Sequence, residues 1–556
     1  MKNKYLILGA AALLMISSCV DLDVDVKSNY TSYPENEIAQ EALATDCYFA
    51  HRARYVGFYS GYIGLMEMTG GAAVAVSFSG DYYDEGPRMR ATLHKTLPQD
   101  YCVDWYSDIQ GGITKCNKAL MSLESGDGEI SKTAAQIRAV RAFYHWMLMD
   151  AFGDTPILDH LYDDDEAVER APRKDVTEWI VDELTTVMDK LPVELNNANY
   201  GKPTRWMAQA LLAKIYLNWA VYTGDIYSYE PSQTNAKIND CIAACDDIIK
   251  SGNFNLSDDF KTKFLPNNGP QIKDFIYAVP YTASDKDGND YGRYHTWRRG
   301  QNDGGSGAGL YNAPLTNSCA GCFMMNPDFS DLFNLPGDRR NDCIYGNDPD
   351  GIVYQYGADY EKTDIPTYYK GELVQMKKTI TLVEITDANG NVIPIGPEYD
   401  HLDVGANMTG WTQGWITNKY CLNPSDYNTY GRSNSNDVPV FRYADILLMK
   451  AEAILRGGSA TNGDSAKSLF NQIRSYVHAP ELAADPTLQD ILDERGREFF
   501  DEGWRRNDMI RFGQYENETW LIHKINPDAG NKNWRIFPIP TGVMNSNTNW
   551  KQNPGY

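Results

Sequence analysis

Between Ile491 and Gly513 the chain reads ILDERGREFFDEGWRRNDMIRFG. Glu494, Glu498 and Glu502 stand there among arginines and aromatics. Glycoside hydrolysis uses a pair of carboxyl groups about 5–10 Å apart across an open cleft. Glu494 and Glu498 could meet that separation, but they lie on adjacent turns of one helix with no sugar between them. On helical spacing Leu488, Ile491, Leu492, Arg495, Phe499 and Glu502 share a face. Arg495 and Glu502 then fall on the stripe that turns to the core, and Glu498, three residues from Arg495, is within pairing reach. Buried charges must be paired or neutral, and a guanidinium fork among carboxylates meets that need. The stretch reads as architecture, an Arg–Glu network, and not as a catalytic pair.

Other catalytic signatures are missing: no G-x-S-x-G, no H-E-x-x-H and no P-loop. Cys319-Ala-Gly-Cys322 is an isolated CxxC without the second pair that a zinc site needs. Cys241 and Cys245 stand one helical turn apart, longer than disulfide geometry favours. The cysteines read as small buried hydrophobes or one local disulfide. Asp285–His295 has the look of a calcium loop, but Gly288 is fourth and Thr296 twelfth where an EF-hand wants glycine sixth and glutamate twelfth, so an acidic turn is expected. No cofactor and no metal are implied. Two stretches do carry the residues that neutral sugars need, flat rings for stacking and polar groups for hydroxyls. Phe78–Arg90 offers Asp81, Tyr82, Tyr83 and Arg88. Tyr291–Tyr311 offers Tyr294, Trp297, Arg298, Asn302 and Tyr311, among glycines that let backbone approach a ligand.

The elements that must position these groups are mostly helical. Ile137, Val140, Tyr144, Met147, Leu148 and Ala151 predict a helix that Gly153 ends. Val176 to Leu191 repeats the pattern, with Asp175 as candidate N-cap and Pro192 beyond the end. Arg205–Tyr222 closes at Gly224, and Ile238–Ile249 is stopped by Gly252. Helices resume at Phe441, Asp464 caps the run to Ile473, and Leu488 opens the acidic stretch. Alanines at close-packing positions suggest tetratricopeptide-like hairpins, about four helix pairs. From about 255 to 438 the helical period fades into Gly, Asn, Asp and Tyr, with strand-like runs at DFIYAVPY and TITLVEIT. Loops on a rigid frame are where ligand contacts usually sit. The expected fold is mostly α, a tetratricopeptide-like superhelix with a large loop-rich insertion carrying short strands.

Composition and the N-terminus bound the setting. A chain of 556 residues with net charge −24 repels phosphate backbones, which disfavours nucleic acid. MKNK followed by the apolar run Tyr5–Ile16 is too short to span a bilayer and reads as a signal peptide, residues 1–18. Small residues before Cys19 look like a lipobox, so Cys19 is the expected lipid attachment point. Asp21, Asp23 and Asp25 make 19–35 a solvated acidic tether, similar to the export signal of surface lipoproteins in the Bacteroidetes. No later apolar run predicts a transmembrane helix.

The quoted stretch also resembles the C-terminal signature of the SusD/RagB family, met here as Glu494-Arg495, Glu498-Phe499, Glu502-Gly503, Arg505 or Arg506, Asp508 and Arg511. Val438–Gly458, Phe470–Val477, Asn326–Arg340, Phe537–Tyr556, Asp104–Leu120, AFGDTPIL and TRWMAQALLAKIYL agree with it in order, across essentially the whole mature chain. The resemblance implies one domain over 36–556: a helical scaffold mainly at 36–254 and 439–515, a ligand-facing loop region mainly at 255–438, and a tail at 516–556. It implies a lipid-anchored protein of the outer membrane, facing the exterior, that binds oligosaccharides without cutting them and passes them to a SusC-like TonB-dependent transporter. A binder of peptides or another non-glycan nutrient is the alternative, and a glycoside hydrolase a third. The matching motifs belong to the scaffold, so none carries over a binding residue.

Overall fold

The computed structural model describes residues 37–57, 61–124, 129–163, 166–257, 259–285, 288–297, 310–311, 315–387, 389–517 and 520–556. The expected signal peptide, Cys19 and the acidic tether lie outside them. Glu37–Leu43 fall in one unit and Ala44–Tyr556 form a second, which holds the elements that follow the first helix. No helix among the described residues is long and apolar enough to cross a membrane.

The main helices are α1 (Glu37–Tyr48), α2 (Trp105–Leu123), α3 (Lys132–Phe152), α4 (Arg173–Val187), α5 (Arg205–Leu217), α6 (Ile238–Ser251), α7 (Tyr443–Leu455), α8 (Ala466–Tyr476), α9 (Leu488–Phe499) and α10 (Arg505–Arg511). Helix α2 packs on α3, α3 on α4, α5 on α6, α6 on α7, and α7 on both α8 and α9. The chain is mostly helical with short strands. Among the described residues the strands form only two-stranded sheets. Strand β1 (Ala73–Ala75) pairs antiparallel with β3 (Phe323–Met325), and β2 (Phe275–Val279) with β4 (Val438–Arg442).

Several boundaries fall where the sequence places them. Helix α3 ends on Gly153 and α6 on Gly252, both at positive φ, 76° and 66°, where glycine avoids a Cβ clash. Others shift. Helix α4 begins at Arg173 after Pro172, so Asp175 lies in its first turn. Helix α5 breaks at Asn218, whose side-chain amide donates to the Lys214 carbonyl at 2.9 Å, before a short helix Trp219–Thr223 reaches Gly224. Phe441 and Arg442 belong to β4, not to a helix: β2 takes their backbone bonds first. Ser465, not Asp464, caps α8, and Thr487 caps α9 with Asp490 in a reciprocal capping box. TITLVEIT is mostly irregular, with only Ile385–Thr386 paired as strand.

The acidic stretch is buried architecture. Glu494 and Glu498 are each 0% exposed and Glu502 1%. Arg495 does not pair with Glu498 or Glu502. It reaches Asp445 on α7 at 2.6 Å and Asp508 on α10 at 2.9 Å. The helix-local pairing fails because both acids are claimed from outside. Arg442 on β4 takes Glu498 at 2.8 Å, Glu502 at 2.8 Å and Asp274 at 2.7 Å. Arg340 takes Glu494 at 2.8 Å and Glu498 at 3.1 Å. Lys419, from the loop region, reaches Glu502 at 2.6 Å and donates to the Phe500 carbonyl at 2.7 Å. These carboxylates hold the scaffold together and face no cleft. All nine described cysteines are free and buried.

Burial raises the Glu494 carboxyl, but Arg340, Arg497 and Arg474 outweigh it and hold it at about 2. Asp508 is held at about 2 against burial by Arg495 and Arg511. Folded pKa values below the unfolded ones stabilise the protein fully above the ordinary carboxylate range, and that stability is lost as pH falls toward 2. Denaturant melts at pH 7 and near pH 3 are expected to show a marked loss at the lower pH. Arg495→Ala leaves Asp445 and Asp508 short of a buried partner and is expected to cost about 3–5 kcal/mol at pH 7. A variant that melts with the wild type would contradict the buried pairing.

Candidate functional site

Strand β1 delivers the chain into a loop, Ser77–Gly86, that a distant segment holds. Ser77 and Asp403 form a parallel bridge, with Ser77 N–H donating to the Leu402 carbonyl at 3.2 Å and Val404 N–H to the Ser77 carbonyl at 3.0 Å. The fully buried Asp403 carboxylate is the clasp. One oxygen accepts from the Ser79 amide at 3.0 Å and the Gly405 amide at 2.7 Å. The other accepts from the Ser77 hydroxyl at 2.8 Å and the Gly80 amide at 2.9 Å. Burial alone would raise this carboxyl, but the Ser79, Gly405 and Gly80 amides prevail and lower it.

Past the clasp the backbone is strained. Ser79 (φ 54°), Tyr82 (67°), Asp84 (46°) and Glu85 (65°) all occupy the left-handed region, which non-glycine residues enter at a cost. Gly86 (82°) closes the loop, and a Cβ there would meet the Tyr83 ring at 2.8 Å. The short helix Pro87–Thr92 reads back into the loop. Buried Arg88 donates to the Tyr82 carbonyl at 2.7 Å and to Asp84 at 2.6 Å. Arg90 donates to the Glu85 carbonyl at 2.6 Å and pairs with Asp100. Persistent strain of this kind needs surroundings that over-determine it. Asp403 and these two arginines do so.

The loop presents two rings. Tyr83, half-buried, lies parallel to His401 with centroids 3.7 Å apart, and its hydroxyl donates to Asp400 at 3.0 Å. Burial and Asp400 push that phenol up to about 12. Tyr82, also half-buried, meets Phe78 edge-on at 6.4 Å, and its phenol interacts electrostatically with Arg293. Arg293 neighbours Tyr294, so the chain at the start of the second stretch lies near the Tyr82 loop. Asp81 is exposed at the loop tip.

The other candidates sit differently. Trp297 is 0% exposed. Its Nε1 donates to the Trp411 carbonyl at 2.9 Å, and its ring packs edge-on against Tyr369 at 5.9 Å. Tyr294 is fully buried, its hydroxyl donating to Asp290 at 3.1 Å. Tyr311 is buried too, its hydroxyl accepting from the Leu422 amide at 3.1 Å. The expectation that Tyr294, Trp297 and Tyr311 offer open rings for stacking is therefore corrected: all three are buried. The insertion packs against itself, and its large rings are the area it buries. Arg88 is likewise a buried support, not an open donor. Arg298 and Asn302 lie outside the described residues. Asp285 pairs with Arg52 at 3.2 Å, and among the described residues no His, Cys, Asp and Glu cluster could hold a metal. Sequence reasoning missed Asp400, His401, Asp403 and Arg293. The first three come from more than 300 residues away, and no local pattern marks their return.

Comparison with known proteins fits this architecture. A model described as "SusD family" matches residues 273–556, and one described as "Starch-binding associating with outer membrane" matches residues 72–217. The starch-binding protein SusD of Bacteroides thetaiotaomicron is 25% identical over 480 residues, covering 83% of this chain and 79% of that protein. SusD-like protein P2 of Formosa agariphila is 24% identical over 455 residues, 78% of this chain and 76% of that one. Among solved structures, a laminarin binding SusD-like protein shares the fold with a TM-score of 0.68 at 21% identity, covering 94% of this chain and 100% of that one. Surface glycan-binding protein A from Bacteroides thetaiotaomicron, in complex with laminarihexaose, gives 0.63 at 18% identity, covering 93% and 99%. With one family model running over more than half its length onto the helices and ion pairs described above, the chain belongs to the SusD family.

Proposed function

We propose that this chain is a non-catalytic glycan-binding lipoprotein of the outer membrane, anchored through Cys19 and facing the cell exterior. It captures oligosaccharides and hands them to a SusC-like TonB-dependent transporter, with its helix pairs acting as a tetratricopeptide-like frame. The observation that carries the reading is the strained loop Phe78–Gly86, where Tyr82 and Tyr83 are fixed as half-exposed rings beside Asp400, His401 and Arg293. Ring faces flanked by hydrogen-bonding groups are what a sugar's C–H face and hydroxyls require. Membership of a family whose named relatives include starch-binding and laminarin-binding proteins supports it. The buried pairing of Glu494, Glu498 and Glu502 supports a binder over a hydrolase, because those acids have no access to a glycosidic bond.

Stacking on a sugar is a broad, shallow contact, so Kd is expected on the order of 10–1000 μM, about 4–7 kcal/mol. Calorimetry of the full chain with starch and laminarin oligosaccharides tests it. Tyr83→Ala is expected to weaken binding at least about tenfold, roughly 1.4 kcal/mol. Trp297→Ala is expected instead to lower stability by about 3–5 kcal/mol, as removal of a buried indole does. Equal affinity for wild type and Tyr83→Ala would remove the loop from the site, and shortening of the oligosaccharide during the titration would overturn the non-catalytic reading.

Anchoring is tested separately. Cys19→Ala is expected to leave the protein uncleaved or released from the outer membrane, since the lipid is its proposed hold. Retention of the variant through washing would point to the transporter as the anchor.

A further inference from the structure

A second recess lies where α3 ends, α4 begins and the C-terminal tail passes. It has a volume of about 510 Å³ and is lined by Arg170, Arg173, Lys174, Tyr227, Lys551 and Asn553 among others. It shares no residue with the Ser77–Gly86 loop. The volume is that of a ligand pocket.

Its charge is unusual for this chain. Four buried arginines of the scaffold, Arg340, Arg442, Arg495 and Arg511, each hold at least two carboxylates, while buried Arg506 donates to the Arg535 carbonyl instead. Arg170 and Arg173 hold only neutral acceptors. Arg170 donates to the carbonyls of Asp154 at 2.8 Å and Lys551 at 2.6 Å, and to the Asn553 side-chain oxygen at 2.5 Å. Arg173, 6% exposed, donates to the carbonyls of Val221 at 3.1 Å and Asp150 at 3.3 Å, and its guanidinium lies over the Tyr222 ring at 4.8 Å. Its Nε is buried with no acceptor. Burial lowers the Arg173 pKa, with Asp150 only partly opposing. A desolvated cation that hydrogen-bonds no carboxylate is costly, and a buried donor without an acceptor asks what accepts from it.

The two acids lining the recess are already engaged. Asp154 accepts the Arg173 backbone amide at 2.8 Å. Asp225 accepts the Tyr227 amide at 3.2 Å and the Ser228 hydroxyl at 2.7 Å. Lys551 is exposed, and Lys174 has only a solvated partner, Glu178 at 3.7 Å. The fifteen-residue helix α4 turns its N-terminus to the recess, adding the positive end of its dipole. Four cations, set against the two carboxylates of Asp154 and Asp225, and a helix start converge on one opening, in a chain whose net charge is −24.

We propose that this recess binds a sulfate or phosphate ester, with Arg170 and Arg173 as fork donors and Lys174 and Lys551 as flanking charges. The ester comes either from a sulfated glycan or from a phospholipid headgroup. The site is independent of the glycan reading of the Tyr82–Tyr83 loop, so failure of one leaves the other standing.

The test uses the full chain in detergent at fixed ionic strength, with galactose 6-sulfate, the soluble headgroup glycerol 3-phosphate and sodium chloride as probes. Calorimetry is expected to give saturable binding of at least one ester and none of chloride. Lys174→Gln with Lys551→Gln, both exposed positions, is expected to weaken that binding about tenfold with an unchanged melting temperature. Arg170→Gln is expected to weaken it further, though it also loosens the tail. Binding of the sugar sulfate alone assigns the site to glycans, and binding of glycerol 3-phosphate alone assigns it to a phospholipid headgroup. Absence of binding by both esters, an equal response to chloride, or undiminished affinity in the double lysine variant would overturn the proposal.

Discussion

Arg442 is fully buried, and its guanidinium touches three carboxylates from two stretches of chain: Asp274 before β2, and Glu498 and Glu502 at the end of α9 and just beyond it. Lys263 shares Asp274 at 2.9 Å, and Lys419 shares Glu502. Each of these charges would be expensive alone in a medium without water. The fold therefore admits only arrangements in which β2, β4, α9 and the segment carrying Lys419 arrive together. Such a network contributes placement more than net stability. It ties the irregular insertion to the C-terminal helices, so loops with little regular structure still have fixed positions.

The same logic, scaled down, builds the candidate site. Asp403 is a buried carboxylate satisfied by three amides and a hydroxyl, with no cation among those partners. It can be so only if two segments more than 300 residues apart are aligned. That alignment offsets the backbone strain of Ser79, Tyr82, Asp84 and Glu85 and fixes two tyrosine rings before any ligand arrives. Preorganised rings lose little conformational freedom on binding.

Helices were legible because their periodicity and stop signals are local. Gly153 and Gly252 end α3 and α6 as their positions require. The burial of the acidic stretch was legible as well, since Arg495 and Glu502 fall on an apolar stripe. Its pairing was not: Asp445, Asp508, Arg340 and Arg442 come from other elements, and helical spacing sees only neighbours. The candidate site divides in the same way. Tyr82 and Tyr83 stand out in a Gly- and Asp-rich loop, whereas His401 and Asp403 carry no local mark. Trp297 misled because glycines follow it in sequence, while its own ring is packed under Trp411 and Tyr369.

We propose the clasped, strained loop as the ligand-facing surface of a scaffold that holds its ligand intact. Hydrogen–deuterium exchange of the full chain, with and without saturating starch or laminarin oligosaccharide, tests this most directly. Slowed exchange is expected at residues 78–86 and 399–405, with the α9 and α10 amides unchanged and the oligosaccharide recovered at its original length. Protection at α9 or α10 with the loop unaffected, or a shortened oligosaccharide, would contradict it.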